Sequence, residues 1–144
     1  MAKVVLIAHE TSVEVPFHDV DIMRIAWHGH YVKYLEIART ELIRRINYDI
    51  NEMEADGYGW PIVDLKLRYV RPARYGSKLT ILAELMEWEC RLVIRYTIRD
   101  ANTGEKLTKA STTQVPVDIN TGEMAFGSPV GLRDRLVAAG CQLD

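Results

Sequence analysis

A single change of period constrains this chain more than any other feature. From Tyr31 onward apolar residues recur every three or four positions, as Tyr31, Leu35, Ala38, Leu42 and Ile46. That spacing makes one apolar stripe along a helix, which continues no further than about Tyr48. Beyond Gly57 and Gly59 the period becomes two. Val63, Leu65, Leu67 and Tyr69 share one face, and Asp64, Lys66 and Arg68 share the other, so this segment is a strand. Residues 79–88 form a second strand candidate. In a third, Leu92, Ile94, Tyr96 and Ile98 alternate with charged positions, the pattern of a half-exposed antiparallel strand. Residues 106–119 give a fourth, set off by the turn signals Asn102-Thr103-Gly104 and Asn120-Thr121-Gly122. Upstream, residues 4–17 read as one long strand or two short ones, and residues 18–30 as a loop. Asn47, Asp49 and Asn51 mark the exit from the helix. A short final helix fits Ser128 as N-cap, Pro129 at its first position and Gly140 past its end.

The order is therefore strand, long helix, then four strands in series, an α+β chain with an antiparallel sheet of about five strands. With 144 residues, 48% of them hydrophobic and 26% charged, it can bury a core without disulfide or metal staples. One helix covers only part of one sheet face, so a homodimer is expected, in which the subunits complete each other's packing. The net charge of -2 supplies no general pull toward nucleic acid or anionic membrane; any phosphate contact must come from a local patch. Cys90 and Cys141 make neither a metal motif nor a disulfide framework. The apolar run at 4–8 is too short for a signal-peptide core or a membrane span. A cytoplasmic protein with no membrane insertion is expected.

Chemistry concentrates between residues 18 and 30. His18, Asp19, Asp21, His28 and His30 fall there, just before the helix begins. A helix N-terminus presents unpaired N–H groups and the positive end of a dipole. It can hold an oxyanion while a nearby carboxylate attacks or activates water. These side chains also suit a metal in chemistry, but they lack any standard ligand spacing, and no metal site or cofactor is expected. The plain alternative is that the carboxylates stabilise a turn and the histidines are solvated.

The segment FHDVDIMRIAWHGHYVKYLEIART, residues 17–40, resembles the signature of the 4-hydroxybenzoyl-CoA thioesterase-like hotdog family. It is particularly similar to the bacterial acyl-CoA thioesterases associated with the Tol–Pal system. The matching features are Phe17, the Asp19–Asp21 pair, Trp27-His28, Tyr31, and Glu36-Ile37-Ala38-Arg39, followed later by Tyr69-Val70-Arg71-Pro72-Ala73-Arg74-Tyr75-Gly76. The resemblance spans about residues 13–119. It implies one hotdog domain over residues 1–144, with the sheet wrapped on one long central helix, as a homodimer or homotetramer. It also implies hydrolysis of acyl-CoA or acyl-carrier-protein thioesters. Asp21 matches the family's catalytic aspartate, as nucleophile or general base. The His28 backbone N–H matches its oxyanion donor, and the His28 side chain an assisting histidine. Asp19 is expected to orient the loop, and Glu36 and Arg39 to form a structural network. Trp27, Tyr31 and Trp60 are candidates for lining the acyl or aryl pocket. Arg68, Arg71 and Arg74, with Lys66, are candidates for holding phosphates.

Two departures stand out. Ile22-Met23-Arg24 replace the small residues and glycine that usually follow the catalytic aspartate, which is expected to reshape the acyl pocket. Phe17 stands where the branch often has tyrosine. Two rival readings remain: a hotdog 3-hydroxyacyl-thioester dehydratase using His28 with Glu36, and a non-catalytic binder of acyl thioesters.

Overall fold

The computed structural model describes residues 4–143. The start and end of the expected domain, residues 1–3 and 144, lie outside them. Strand β1 (Ile7–Glu14) is followed by a 3-10 turn at Phe17–Asp19 and helix α1 (His30–Arg44). Helix α2 (Ile50–Asp56), β2 (Tyr58–Gly59), β3 (Ile62–Tyr69), β4 (Lys78–Glu87), β5 (Leu92–Asp100), β6 (Lys106–Gln114), β7 (Val117–Asp118) and α3 (Val130–Ala138) complete the order. Five strands form one antiparallel sheet in the order β1-β4-β5-β6-β3, and β2 with β7 makes a small separate ribbon. The α+β class and the five-stranded antiparallel sheet are as expected.

Register defines two sheet faces, because directly paired residues point the same way. Ile81 pairs with Ile98, Ile98 with Thr108, and Thr108 with Tyr69. Along this inner face Leu79, Ile81, Ala83, Leu85, Leu92, Ile94, Tyr96 and Ile98 are all buried. Helix α1 lays Tyr31, Tyr34, Leu35, Ala38 and Leu42 against it. Each buried leucine or isoleucine among them contributes roughly 1.5–3 kcal/mol by leaving water. The helix packs chiefly on β1 and β4; the inner face stays buried as far as Thr108, Ala110, Thr112 and Gln114 of β6, and β3 at the edge is part-exposed. At the far edge, Leu65 and Tyr69 of β3 keep 39% and 46% of their surface exposed.

Several boundaries differ from expectation. Helix α1 stops at Arg44: Asn47 takes φ 55°, and the Tyr48 N–H closes back on Ile43 O at 3.1 Å. Asp49 then starts α2 instead of ending a helix. Its side chain and that of Glu52 form a reciprocal capping box, which satisfies amides at the new helix start. Phe17 leaves the first strand after Pro16 and is exposed, while Val15 is fully buried. The 106–119 strand breaks at Pro116 into β6 and β7; proline has no N–H to continue the ladder. Pro129 is the N-cap of α3, and the Ser128 hydroxyl donates to Trp88 O instead. Strand β3 pairs with β6 at the far edge, not with its sequence neighbour β4.

Candidate active site

The loop between β1 and α1 is a built structure. Asp21 N–H donates to Ile25 O at 3.0 Å, and Arg24 N–H returns to Asp21 O at 2.9 Å. Arg24 sits at φ 62°, an uncommon conformation for a side-chain-bearing residue. Tyr75 N–H holds it there by donating to Arg24 O at 3.0 Å. Ala26 N–H donates to Ala73 O at 2.8 Å, and Ile25 bridges Arg74. The β3–β4 connection thus straps the reversal in place. Asp21 Oδ1 accepts from Met23 N–H at 2.8 Å, an Asx-type turn. Its other carboxylate oxygen has no hydrogen bond among the described residues. Ile22 is 99% exposed at the tip, and neither Ile22 nor Met23 lines the cleft beside Asp21. The reversal throws these bulky residues outward, away from the cleft beside Asp21.

Asp19 is buried two residues away. It accepts from Lys33 Nζ at 2.5 Å and Tyr34 OH at 2.7 Å, with His18 and His30 nitrogens at 3.6 and 3.7 Å. Burial works against its charge, but the Lys33 and Tyr34 hydrogen bonds and the nearby cations outweigh burial and hold its carboxyl below the ordinary value. Burial, together with the hydrogen bond and charge of Asp19, pushes the Tyr34 phenol up in turn. Asp19 O also accepts the Trp27 N–H at 2.9 Å. This residue ties the loop to the second turn of α1.

Helix α1 begins after Gly29, which has no side-chain cap. His30 N–H returns to Trp27 O and Tyr31 N–H to His28 O. The N–H groups of His28 and Gly29 have no hydrogen-bond partner among the described residues. Glycine lets the Trp27 ring lie over the helix start: a Cβ at position 29 would lie 2.1 Å from that ring and displace it. Trp27 also packs against His28, tilted, and His30, edge to face, with ring centroids at 4.8 and 5.5 Å. The His28 carbonyl accepts from Tyr69 OH at 3.0 Å, and Tyr31 OH accepts from Ala73 N–H at 2.9 Å. Helix start, strap and β3 are locked together around one opening.

That opening is a cleft of about 330 Å³, lined among others by Asp21, Ala26, His28, Tyr31, Tyr69 and Arg71. Of the residues singled out in the sequence, it brings together Asp21, His28, Tyr31 and Arg71. Arg71 pairs with Glu105 at 3.0 Å. Trp27 packs over Gly29 beside the cleft and does not line it. Arg74 belongs to the strap. Arg68 and Lys66 face a depression on the outer side of the sheet. Trp60 is buried, its Nε1 donating to Tyr48 OH at 3.3 Å. It walls a separate cavity of about 590 Å³ with Arg39, Ile43, Met53, Tyr58 and Gln114. From Tyr31 to Ile43 is about 18 Å along a helix axis, so Trp60 is remote from Asp21 in its own chain. Tyr69 was read as an ordinary face residue, yet it lines the cleft. Glu36 pairs with Arg39 at 3.5 Å and does not line the cleft, which removes the expected support for a dehydratase pair with His28. Among the described residues no group of three or more His, Cys, Asp or Glu could hold a metal ion.

A family model described as the thioesterase-like superfamily matches residues 15–138. The chain belongs to this superfamily. The match includes the Asp21 reversal, α1, the strap and every strand of the sheet except β1. A Synechocystis protein provisionally named an esterase is 32% identical over 129 residues, 89% of this chain and 78% of that one. A Bacillus subtilis protein provisionally named an acyl-CoA thioesterase, YneP, is 29% identical over 108 residues, covering 74% and 78%. Among solved structures, a DHNA-CoA thioesterase from Staphylococcus aureus superposes with a TM-score of 0.76 at 25% identity, covering 83% of this chain and 80% of that one. The expected hotdog thioesterase fold is the fold of this superfamily member.

Proposed function

We propose that this thioester hydrolase acts on acyl-CoA at the cleft holding Asp21 and His28. The observation that carries the reading is that one opening is lined by Asp21, a carboxylate with an unbonded oxygen, and by His28, whose unpaired amide stands at the start of a helix. The thioester carbonyl oxygen is held by the His28 N–H, with the positive end of α1 behind it. Asp21 either attacks the carbonyl carbon or takes a proton from the attacking water. With Asp21 as base, water oxygen bonds to the carbonyl carbon, the C–S bond breaks and the proton passes to the departing thiolate. With Asp21 as nucleophile, the C–S bond breaks to leave an acyl-aspartate anhydride, which water hydrolyses while its proton goes to the thiolate. Free acid and free thiol leave in both cases. The His28 side chain, beside the same cleft, assists. Arg71 at the rim suits a coenzyme phosphate. These roles need no metal. Exhaustively chelated enzyme is expected to keep full thiol release from acyl-CoA; activity lost with chelator and restored by zinc or manganese would count against this chemistry.

The reading extends to one thioesterase domain over residues 1–144, acting in the cytoplasm. The family match over residues 15–138 and the free thiols of Cys90 and Cys141 support it. Among the described residues no helix is long and apolar enough to cross a membrane.

The proposed assembly is a homodimer through β3, whose part-exposed apolar face and open edge support it. A two-fold axis pairs that strand with its own copy in antiparallel sense. Each subunit's Trp60 cavity, at the Ile62 end of β3, then comes opposite the partner's cleft, at the Tyr69 end. The acyl group is proposed to enter that cavity. Leu65→Lys together with Leu67→Lys is expected to give a monomer in sedimentation and to lower activity. A wild-type chain that is monodisperse, monomeric and active at micromolar concentration would contradict this assembly.

A further inference from the structure

Strand β3 ends at Tyr69, which pairs with Thr108 of β6. Alternation along the strand sets its side chain on the inner face with Leu65 and Leu67. A tyrosine there packs an apolar ring and carries a hydroxyl past it. The ring meets Tyr31 of α1 edge to face, with centroids at 4.9 Å and planes at 74°. Tyr31 is itself fixed, because its hydroxyl accepts the Ala73 N–H at 2.9 Å. The Tyr69 hydroxyl is thereby aimed at the helix start, where it donates to His28 O at 3.0 Å. Burial holds this phenol above its ordinary value, so it keeps its proton and stays a donor at neutral pH.

The bond falls beside the amide assigned to the oxyanion. The peptide carrying the His28 N–H is pinned at its other end, where Trp27 O accepts the His30 N–H at 2.9 Å. The next peptide, rigid from the His28 carbonyl to the Gly29 N–H, has two holds. One is the Tyr31 N–H at 3.3 Å, which is long and travels with the helix. The other is Tyr69, and among the described residues no other side chain donates to this carbonyl. Gly29 gives the helix no side-chain cap, and glycine is the residue whose backbone turns most freely. Tyr69, His28 and Asp21 line the same cleft. We propose that Tyr69 is a positioning residue: from the β3 wall it holds the His28 carbonyl, and so keeps the His28 N–H where the thioester oxygen gains charge. This rests on the thioester-hydrolase reading. Pairing of β3 with its copy uses that strand's backbone groups and leaves this side-chain bond, made within one subunit, in place. A donor set in advance counts where charge develops and not where substrate first binds, so the loss should fall on kcat.

Tyr69→Phe keeps the ring against Tyr31 and removes only the hydroxyl. The expected result is a fall of roughly 10- to 100-fold in kcat for thiol release from acyl-CoA, the scale of a small misplacement, with KM within about twofold of wild type. Assembly in sedimentation, the urea midpoint and the shape of the kcat pH profile should all match wild type. Tyr69→para-aminophenylalanine sets an N–H donor in place of the hydroxyl and should recover most of the lost kcat. Tyr69→Phe with kcat near wild type would overturn the proposal, as would a raised KM at unchanged kcat, the mark of a direct substrate contact. Loss of one limb of the pH profile would show Tyr69 moving a proton itself and would overturn it too. So would a variant that fails to fold or assemble, or a para-aminophenylalanine variant as slow as Tyr69→Phe. Absence of thiol release by wild type would instead remove the hydrolase reading, and this role with it.

Discussion

Asp21→Asn is expected to lower kcat for acyl-CoA hydrolysis by roughly two to four orders of magnitude, the scale of a positioned base or more. The amide keeps the shape of the side chain and can still accept the Met23 N–H bond, so the turn survives. It is a poor nucleophile and a poor base. Asp21 is exposed at a loop reversal, so urea denaturation should place the variant close to wild type. Two companions rank the loop. His28→Ala should lose less, because the oxyanion donor assigned there is backbone. Asp19→Asn should lose least in chemistry, because its carboxylate faces Lys33 and Tyr34 and not the cleft. Steady-state kinetics on all three decide the ranking. Asp19→Asn abolishing turnover while Asp21→Asn stays near wild type would reverse the assignment.

Asp19 should instead dominate stability. Asp19→Ala strands the Tyr34 hydroxyl in the core and leaves Lys33 unpaired, and is expected to cost about 1.5–3 kcal/mol, the range for hydrogen bonds to a charged group. The sign with pH follows from the lowered carboxyl of Asp19. Its contribution is present above the unfolded carboxylate value, about 3.9, and is lost as pH falls through the lower folded value. Denaturant melts at neutral pH should separate wild type from Asp19→Ala, and the gap should close below about pH 4. A gap that is absent at neutral pH, or that widens in acid, would show that the buried Asp19 carboxylate does not hold the loop.

The helix was legible because its apolar stripe is wide and regular, and β3 and β5 because each alternates cleanly. Helix α2 was missed because none of its residues is buried; it has no stripe, and its one signal was the Asp49–Glu52 capping box. The position of β3 beside β6 could not be read from neighbouring residues, since strand order is decided by non-local packing and not by turn chemistry. The site followed the same division. Asp21, His28 and Tyr31 are close in sequence and gather through local hydrogen bonds. Arg71 arrives because the strand ends there. Alternation placed Arg68 on the polar face of its strand, and that face proved to be the far side of the sheet from the cleft. Tyr69 was counted with the core face, whereas at the edge strand that face lines the opening. Trp60 sits in a distant cavity because β3 runs its full length between Trp60 and Tyr69.

The claim that this chain hydrolyses acyl thioesters is tested most directly by following the products of wild-type enzyme on a panel of acyl-CoAs and one 3-hydroxyacyl-CoA. Free thiol and free acid should appear together in equal amounts, with no enoyl thioester formed from the hydroxyacyl substrate. Enoyl formation without thiol release, or saturable binding with no turnover of any acyl-CoA, would contradict it.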